Sequence, residues 1–436
     1  MEKTRMSRFS PGIRIYLIAV AAQLLAVALL LTFSDEIPAS DPWFEEQALE
    51  LVRKHSLTVE WENPPHIVQQ GDYQNWRPPL YSLIIALTYV IWDSRIALII
   101  LQVFLYAVIP VLLYHIAIRV HTRGRSRGSV AATAVLLWMV NPQFVVSSYQ
   151  VLDTMTITAF FLLTVLVTFR QHPEYVPRRS AAAGLLTGLF YLLRPTGSLT
   201  FILYHGISFV RSRVSHRVRT VIIYIAFLCM GLAFLGLLHV VTGSGYRMTY
   251  TSAGYNLWLG NNPETRDFMR RTLGDAATIE DRIFAEYQGE LTAIARADEQ
   301  ERNRMFTRRA IAFMIDHPVE TLENMFWKAV GFWSPFRSRE GHFSASWKKE
   351  ILVLAYQLPL LLFAFITVVR RLLQPERMRG KGIGTICLLV ALWMLPHLLF
   401  FATPRFRAPV DPLILYMAVL SLPEIVRSHF RWIVRG

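Results

Sequence analysis

Residues 40–48 read SDPWFEEQA and residues 76–82 read WRPPLYS, and both lie in the polar segment that follows the first apolar run. The apolar residues after Pro42 recur at helical spacing, which predicts a short helix over 42–54 with one apolar face. Proline is favoured at the first helical position, and the preceding Asp41 suits the N-cap. The sequence therefore predicts a carboxylate held at a helix start, close to an Arg-Pro-Pro turn.

The composition indicates a protein that crosses a membrane several times. Hydrophobic residues make up 53% of the 436 residues, and charged residues make up 17%, below the roughly 25% usual in soluble proteins. The first apolar run, 13–33, is long enough for a span and lacks a small-residue cleavage site, so we do not expect a cleaved signal peptide. Cys229 and Cys387 both lie in apolar runs, so we expect no disulfide framework.

The net charge of +14 reports topology rather than nucleic-acid binding. Basic residues cluster at both chain ends and in short loops near 119–127, 170–179, 211–219 and 370–381. Cytoplasmic loops of membrane proteins carry such an excess of Lys and Arg, which also face anionic lipid headgroups. We therefore place these loops in the cytoplasm and expect membrane lipids, but no nucleic acid, as partners.

This orientation predicts an all-α polytopic fold of about ten transmembrane helices. The predicted spans are 13–33, 95–118, 129–146, 154–169, 180–193, 197–210, 220–242, 351–369, 383–401 and 412–426. Counting the short apolar run 79–92 as a span would reverse the side of each later basic loop. We therefore predict that it forms a re-entrant or juxtamembrane helix beneath the outer loop.

The spans divide the chain into three parts. We expect a transmembrane module over 1–242 with its outer loop at 34–94, a small helical outer cap over 243–350, and C-terminal transmembrane helices over 351–436. The cap should begin with a turn-rich stretch rich in Gly and Asn. Its predicted helices are 277–297, 299–316 and 318–333.

The predicted topology gathers polar residues from distant helix ends on the outer side of the membrane. They are Asp41, Arg77, Asp153, Arg194, Arg405 and Arg407. Ionisable groups at membrane depth are costly, so their presence favours a functional site. Arginine forks bind phosphate oxygens, and a carboxylate beside a hydroxyl can accept its proton.

Other interpretations of these residues stay open at this point. The carboxylates could hold a divalent metal that bridges a phosphate. Asp41 and Asp153 could only cap their helices, Arg77 could only fix a turn, and the other arginines could only anchor helix ends among lipid headgroups. The scattered histidines show no metal-ligand spacing, so we interpret them as structural, and no Walker motif is present.

Several of these motifs together resemble a known family. The Asp41 and Arg-Pro-Pro stretches resemble the first outer loop of the GT-C membrane glycosyltransferases, most closely the protein mannosyltransferase and aminoarabinose transferase branch (glycosyltransferase family 39-like). Asn141-Pro142 with Asp153 resembles that family's second acidic loop, and LRPT at 193–196 is similar to its hairpin. GYNLWLGNNP at 254–263 and RFRAPVDP at 405–412 are similar to later family motifs. The resemblance therefore runs through most of the chain, in family order.

The resemblance implies a GT-C fold and an inverting transfer of a sugar from a polyprenyl-phosphate-linked donor to an acceptor hydroxyl. The acceptor would be a lipid, a glycan or a protein. The module over 1–242 would be catalytic, with Asp41 as base and Asp153 as the second catalytic acid. Residues expected to bind the donor phosphate are Arg77, Arg194, Arg405 and Arg407. Residues expected to line the substrate are Tyr81, Tyr255, Asn256 and Asn261.

We expect an integral, multi-pass enzyme of the bacterial inner membrane, with its active site facing outside and a role in cell-envelope glycosylation. Neither Asp41 nor Asp153 has an acidic neighbour, so no cofactor is certain and a divalent metal stays open. A secondary transporter or flippase for a lipid-linked or anionic substrate is the alternative, although no internal repeat of the kind seen in transporters is visible. A non-catalytic scaffold is a third interpretation.

Overall fold

The described part of the chain is almost entirely helical. The computed structural model describes residues 10–33, 41–61, 71–73, 76–121, 127–169, 177–210, 214–243, 250–271, 279–335, 347–376, 380 and 382–422. The parts of the expected basic loops within 122–126, 170–176, 211–213 and 377–379, both basic chain ends, and the start of the turn-rich stretch at 244–249 lie outside these residues.

The first half of the chain supplies eleven of the described helices and two short strands. The helices are α1 Pro11–Phe33, α2 Pro42–Lys54, α3 Leu80–Ile91, α4 Arg95–Tyr106, α5 Val108–Val120, α6 Arg127–Met139, α7 Pro142–Ser147, α8 Thr154–Thr168, α9 Pro177–Tyr191, α10 Pro195–Val210 and α11 Val214–Val241. Strands β1 Val59–Trp61 and β2 Gly71–Tyr73 form an antiparallel pair in which Val59 faces Tyr73.

The second half continues with helices of the outer region and returns to apolar helices. These are α12 Ser252–Gly260, α13 Pro263–Arg271, α14 Ile279–Glu286, α15 Gln288–Ala295, α16 Glu299–Asp316, α17 Pro318–Trp333, α18 Trp347–Leu373, α19 Ile383–Leu399 and α20 Asp411–Ser421. A short 3-10 turn, Pro404–Arg407, connects α19 to α20.

The apolar helices make this chain an integral membrane protein. Among the described residues, four helical segments are long and apolar enough to cross a membrane. They are Pro11–Thr32, Arg95–Val120, Val218–Val241 and Ile351–Leu373. Only 17% of the apolar windows in α11 and α18 is buried by protein, which suits helices that face lipid. Shorter apolar helices, including α8 and α20, pack between them.

Most predicted helices are confirmed, and three corrections apply to the transmembrane and cap regions. The helix expected over 277–297, of which 277 and 278 lie outside the described residues, is divided at Tyr287 into α14 and α15. The expected span 129–146 is interrupted at Asn141, because Pro142 lacks the N–H that would continue the hydrogen-bond ladder, and a separate helix α7 begins there. The stretch expected to be turn-rich contains the helix α12. Gly254 in α12 leaves room for α16, since a Cβ there would lie 2.3 Å from the Asn303 carbonyl oxygen.

The helix α3 packs beneath α2 in the outer loop, as the sequence predicts. Its 12 residues extend only about 18 Å, well short of the roughly 30 Å of hydrocarbon that a span must cross. Tyr81 on α3 packs edge-on against Phe44 on α2, with ring centroids 5.2 Å apart. The placement of α3 along the membrane surface stays a prediction.

Aromatic side chains join the outer loop to the cap. Trp43 stacks on Trp76 at 5.3 Å, and Trp76 contacts Tyr255 of α12 at 5.5 Å. Tyr73 of β2 contacts Trp43 edge-on at 5.4 Å. The small hairpin was not predicted from the sequence, because the tryptophans that cover it come from separate segments. This aromatic cluster attaches the outer loop to helix α12 of the cap.

Candidate active site

Asp41 is held at the start of α2 by two hydrogen bonds, one accepted by its side chain and one donated by its backbone N–H. Its side chain accepts a hydrogen bond from the backbone N–H of Trp43 at 3.2 Å, which caps the helix. Its own N–H donates to the carbonyl of Val151 at 3.2 Å, in the loop that leads to Asp153. The first outer loop and the second acidic loop are thus joined through the backbone of Asp41 itself.

One turn further along α2, Glu45 fixes the helix against its neighbours. Arg95 donates to both of its carboxylate oxygens, from Nε at 2.7 Å and from Nη2 at 2.5 Å, and the Tyr89 hydroxyl donates at 2.8 Å. Bidentate pairs of this kind hold a fixed geometry, so α2 cannot rotate freely about its axis. The direction of the Asp41 side chain follows from this attachment.

Asp153 lies at the start of α8 and is enclosed by two arginines. Arg405 donates to Oδ1 at 3.0 Å, and Arg194 approaches Oδ2 at 3.4 Å. The Arg405 Nε also donates to the Thr154 hydroxyl at 3.0 Å. In contrast to Asp41, the Asp153 side chain makes no capping hydrogen bond to its helix. Its surroundings therefore argue against the purely structural interpretation as a cap.

The arginines determine the charge state of Asp153. The residue is only 3% exposed, and this burial acts to raise the pKa of its carboxyl. The guanidinium groups of Arg194, Arg405 and Arg77 outweigh that effect, and the pKa lies below its ordinary value. Asp153 is therefore an anion throughout the neutral range.

Arg77 links the two acidic positions and keeps donor capacity of its own. Its Nη2 approaches the Asp41 Oδ2 at 3.4 Å, and its guanidinium lies over the Phe44 ring at 5.8 Å. Its Nε is buried and has no hydrogen-bond partner among the described residues. A buried donor of this kind is rarely left unsatisfied, so a bound ligand is a natural partner for it.

Asp41, Asp153, Arg77, Arg194 and Arg405 all line one cavity of about 420 Å³. Three guanidinium groups against two carboxylates leave an excess of one positive charge among these lining residues. The rest of the wall is largely apolar and aromatic. It includes Phe44, Leu193, Tyr191, Tyr250, Leu259, Phe400, Phe401 and Phe406. The cavity thus suits a ligand with an anionic group and an attached apolar part.

Of the other five predicted site residues, only Asn256 is among the described residues that line this cavity. Tyr81 is instead buried and donates to Gln102 at 2.9 Å, and Tyr255 packs in the aromatic cluster around Trp76. Both lie away from the lining because the apolar faces of α3 and α12 pack against other helices.

Asn261 and Arg407 are also turned into the protein interior. Asn261 donates to the carbonyl of Leu399 at 2.7 Å and accepts a hydrogen bond from Lys328. Arg407 is 2% exposed and bonds to Asp411 at 2.8 Å. Neither side chain lines the cavity, because each completes a buried polar contact between helices.

Sequence reasoning missed several residues of the cavity wall. Tyr250 and Ser252 lie at the start of the cap, in and beside the stretch expected to be turn-rich, and His397 was interpreted as structural. Its position near the end of an apolar span, eight residues before Arg405, is the one signal that could have pointed to it.

The described acidic side chains of the cavity are directed to arginines and are not grouped as metal ligands. Among the described residues, no group of three or more His, Cys, Asp and Glu side chains is arranged to hold a metal ion. Both carboxylate oxygens of Asp153 are directed to arginines. The donor set that this part of the chain presents is therefore one for an anion.

Comparison with known proteins gives likenesses of overall structure alone. No protein-family model and no curated protein matches the sequence. The archaeal oligosaccharyltransferase AglB from Archaeoglobus fulgidus, solved with an inhibitory peptide and a dolichol-phosphate, is similar at 13% identity and a TM-score of 0.49. That likeness covers 96% of this chain and 50% of the AglB chain, so the chain spans half the length of AglB.

ArnT from Cupriavidus metallidurans is similar at 12% identity in two structures. Bound to undecaprenyl phosphate, it gives a TM-score of 0.37 and coverage of 93% of this chain and 76% of ArnT. In the apo state it gives 0.34, with coverage of 92% and 77%. AglB and ArnT are GT-C superfamily glycosyltransferases, the superfamily that the sequence motifs resemble. All three TM-scores lie below 0.5.

Proposed function

We propose that this protein is a GT-C-type membrane glycosyltransferase that transfers a sugar from a polyprenyl-phosphate-linked donor to an acceptor hydroxyl. One observation carries the proposal, namely that two carboxylates and three arginines from five separate segments line a single, largely apolar cavity. Arginines can bind the donor phosphate while the apolar wall receives the start of the lipid chain.

Asp41 and Asp153 differ in how many hydrogen bonds their carboxylate oxygens already accept within the protein, and this difference supports different roles. Both Asp153 oxygens face guanidinium groups, so Asp153 holds Arg194 and Arg405 in place as a positioning residue. Asp41 makes one capping bond and one looser contact at 3.4 Å. We therefore assign the role of general base to Asp41, which retains free acceptor capacity toward the cavity.

The chemistry is a single displacement at the anomeric carbon. Asp41 accepts the proton of the acceptor hydroxyl, and the acceptor oxygen forms a new bond to the anomeric carbon. The bond between that carbon and the lipid phosphate oxygen breaks, and its electron pair stays on the phosphate. Arg77, Arg194 and Arg405 stabilise the negative charge that develops there. Attack from the face opposite the leaving phosphate inverts the configuration.

The location of the cavity follows from the same proposal. The basic loops between spans support a cytoplasmic placement of the opposite helix ends, which directs the cavity outward. The transmembrane module over 1–242 then supplies four of the five charged residues, the C-terminal part over 351–436 supplies Arg405, and the cap over 243–350 covers the cavity through Tyr250, Ser252 and Asn256. We propose a lipid, glycan or protein acceptor at a bacterial inner membrane.

The direct test is turnover by the purified full-length protein in liposomes. The liposomes would contain undecaprenyl-phosphate-linked glucose, mannose, galactose or 4-amino-arabinose, with a membrane extract as the source of acceptor. Release of undecaprenyl phosphate from one of these donors is the expected result, together with its loss in Asp41→Asn. Asp316→Asn, at the exposed end of α16, is the matched control. Movement of the intact donor across the liposome without release would support a flippase instead.

A further inference from the structure

His397 lines the same cavity but has no part in the proposed chemistry. It lies near the C-terminal end of α19 and is 4% exposed. Its ring lies almost parallel to that of Phe406, with the planes 9° apart and the centroids 4.8 Å apart. Trp393 contacts the same ring at 5.6 Å. The imidazole is therefore held in one orientation by its neighbours.

The Nε2 atom of this fixed ring is buried and has no hydrogen-bond partner among the described residues. A hydrogen bond joins the ring to the backbone of Phe401, which itself lines the cavity. Buried polar atoms are nearly always satisfied in native proteins, by protein groups, water or ligand. An unsatisfied nitrogen on a rigid ring at a cavity wall is thus suited to receive a group from a bound molecule.

The position of His397 relative to the arginines indicates which part of a ligand it would meet. The guanidinium of Arg194 lies over the ring of Phe406, 5.0 Å from its centroid, and Phe406 is the ring on which His397 stacks. Phe406 therefore contacts both His397 and one of the arginines proposed to bind the phosphate. In a polyprenyl-phosphate sugar, the sugar is the group attached directly to the phosphate, so a donor whose phosphate contacts Arg194 places its sugar beside these rings.

The chemistry of Nε2 narrows the partner to a hydroxyl. A neutral imidazole carries a donor on one nitrogen and an acceptor on the other, and a hydroxyl can pair with either because it both donates and accepts. A phosphate oxygen at neutral pH mainly accepts, and three guanidinium groups are already available to it. A hydroxyl on the sugar therefore satisfies Nε2 in both tautomers.

We propose that His397 is a specificity-determining residue whose Nε2 binds one hydroxyl of the donor sugar; this rests on the proposed function. Sites built to bond a hydroxyl reject analogues that lack it far more strongly than apolar pockets discriminate by shape. The identity of the accepted sugar should then depend on a residue at the end of α19 rather than on the carboxylates.

The first experiment measures binding, which does not depend on turnover. In the Asp41→Asn background, the affinity for the undecaprenyl-phosphate sugar that the protein binds most tightly is compared with that for undecaprenyl phosphate alone. His397→Phe should weaken binding of the sugar-bearing lipid about tenfold and leave the bare lipid phosphate unchanged. His317→Phe, an exposed histidine on the cap, is the matched control and should change neither.

The second experiment uses turnover by the otherwise unaltered protein with single-deoxy analogues of the same sugar. In the unaltered protein, kcat/KM for one of the analogues should be at least tenfold lower than for the complete sugar donor. In His397→Phe the two donors should have equal kcat/KM values. In His397→Gln the difference should partly return, because Gln can also bond a hydroxyl. Equal weakening of both lipids, or unchanged discrimination against every deoxy analogue in His397→Phe, would overturn the inference. If no donor releases lipid phosphate while the binding difference is present, the proposed transfer fails but the sugar contact stands.

Discussion

Arg405 and Arg407 lie two residues apart in one short turn, yet the protein uses them in opposite ways. Arg407 donates hydrogen bonds to protein groups, namely Asp411, Gln357 and the carbonyls of Phe332 and Ser334, at 2.8 to 3.2 Å. Arg405 contacts Asp153 and Thr154 and still lines the cavity. A cation whose donors are saturated by the fold is structural, whereas one at a cavity wall can bind a ligand.

The same contrast separates the cavity from the buried polar contacts beside it. Lys328 is fully buried and donates to Asn261 at 3.2 Å and to the carbonyls of Leu398 and Leu399 at 3.1 and 3.4 Å. It thereby attaches the cap to the end of α19. In the cavity, by contrast, Arg77 retains an unpartnered Nε within the described part of the chain. Changes in the two regions should therefore affect different measurements.

The largest expected effect is on turnover, from Asp41→Asn. Loss of a general base lowers the rate by about 10²–10⁴-fold, whereas Asn serves nearly as well as Asp at an N-cap. We expect the sugar-transfer rate to fall by that factor while the thermal unfolding midpoint in detergent changes little. A variant with near-normal turnover would remove Asp41 from the mechanism.

The next largest effect is on stability, from Arg407→Leu. Removing the cation leaves Asp411 and two backbone carbonyls without their partner in the protein interior, which costs about 3–5 kcal/mol. We expect a clear drop in the unfolding midpoint and a low yield of folded protein. Normal stability in this variant would contradict the division between the two arginines.

A smaller effect, on donor binding, is expected from Arg405→Gln. A charge-assisted hydrogen bond contributes about 1.5–3 kcal/mol, which corresponds to a rise in the KM for the donor of roughly 10–100-fold. Stability should change less than in Arg407→Leu because Asp153 keeps Arg194. Donor titrations of both variants, normalised to folded protein, provide the comparison.

At acid pH the protein should lose the stability that ionised Asp153 contributes. Because the pKa of Asp153 is lowered in the fold, its contribution to stability is fully present above its unfolded pKa of about 3.9. That contribution is lost as the pH falls from there through the lower folded value. Between pH 6 and pH 3 the unaltered protein should therefore lose more stability than Asp153→Asn, as measured by thermal unfolding.

The smallest expected effect is on the pH dependence of stability above pH 7, from the buried amine of Lys328. Burial lowers the pKa of Lys328 to about 7, so between pH 7 and its unfolded value of about 10.4 the unfolded chain binds more protons than the folded one. This residue therefore makes stability rise as the pH increases across that window. Lys328→Met should flatten the rise. A matching slope in both proteins would show that the amine is charged when buried.

Local signals account for most of what the sequence could predict. Helices α2, α16 and α17 begin and end at the predicted residues. Asp41 and Asp298 cap the starts of α2 and α16, and Pro318 begins α17 directly after the end of α16. The gathering of Asp41, Arg77, Asp153, Arg194 and Arg405 was also expected, since each lies at a helix end on the same predicted side. The roles proposed for these residues stay predictions.

Side-chain direction is what the sequence could not provide. Asn256 lines the cavity, while its neighbour Tyr255 packs against Trp76, because adjacent helix positions differ by about 100° in direction. The rotation of α12 is set by its contact with α16, which involves residues far along the chain. The same limit applies to Arg407, whose partners Phe332 and Gln357 are brought to it only by the packing of α17 and α18.

The hydrogen bond from the Asp41 amide to the Val151 carbonyl has a consequence for how this protein could be re-engineered or could diverge. It ties Asp41, the proposed proton acceptor, to the loop that leads to Asp153, so a shift of one loop would strain its attachment to the other. A chimera that exchanged only the first loop should keep this alignment only where the new loop presents a backbone N–H at position 41, so proline there should misalign the two loops. Exchange of the two loops together should preserve the position of residue 41 relative to the loop that contains residue 151.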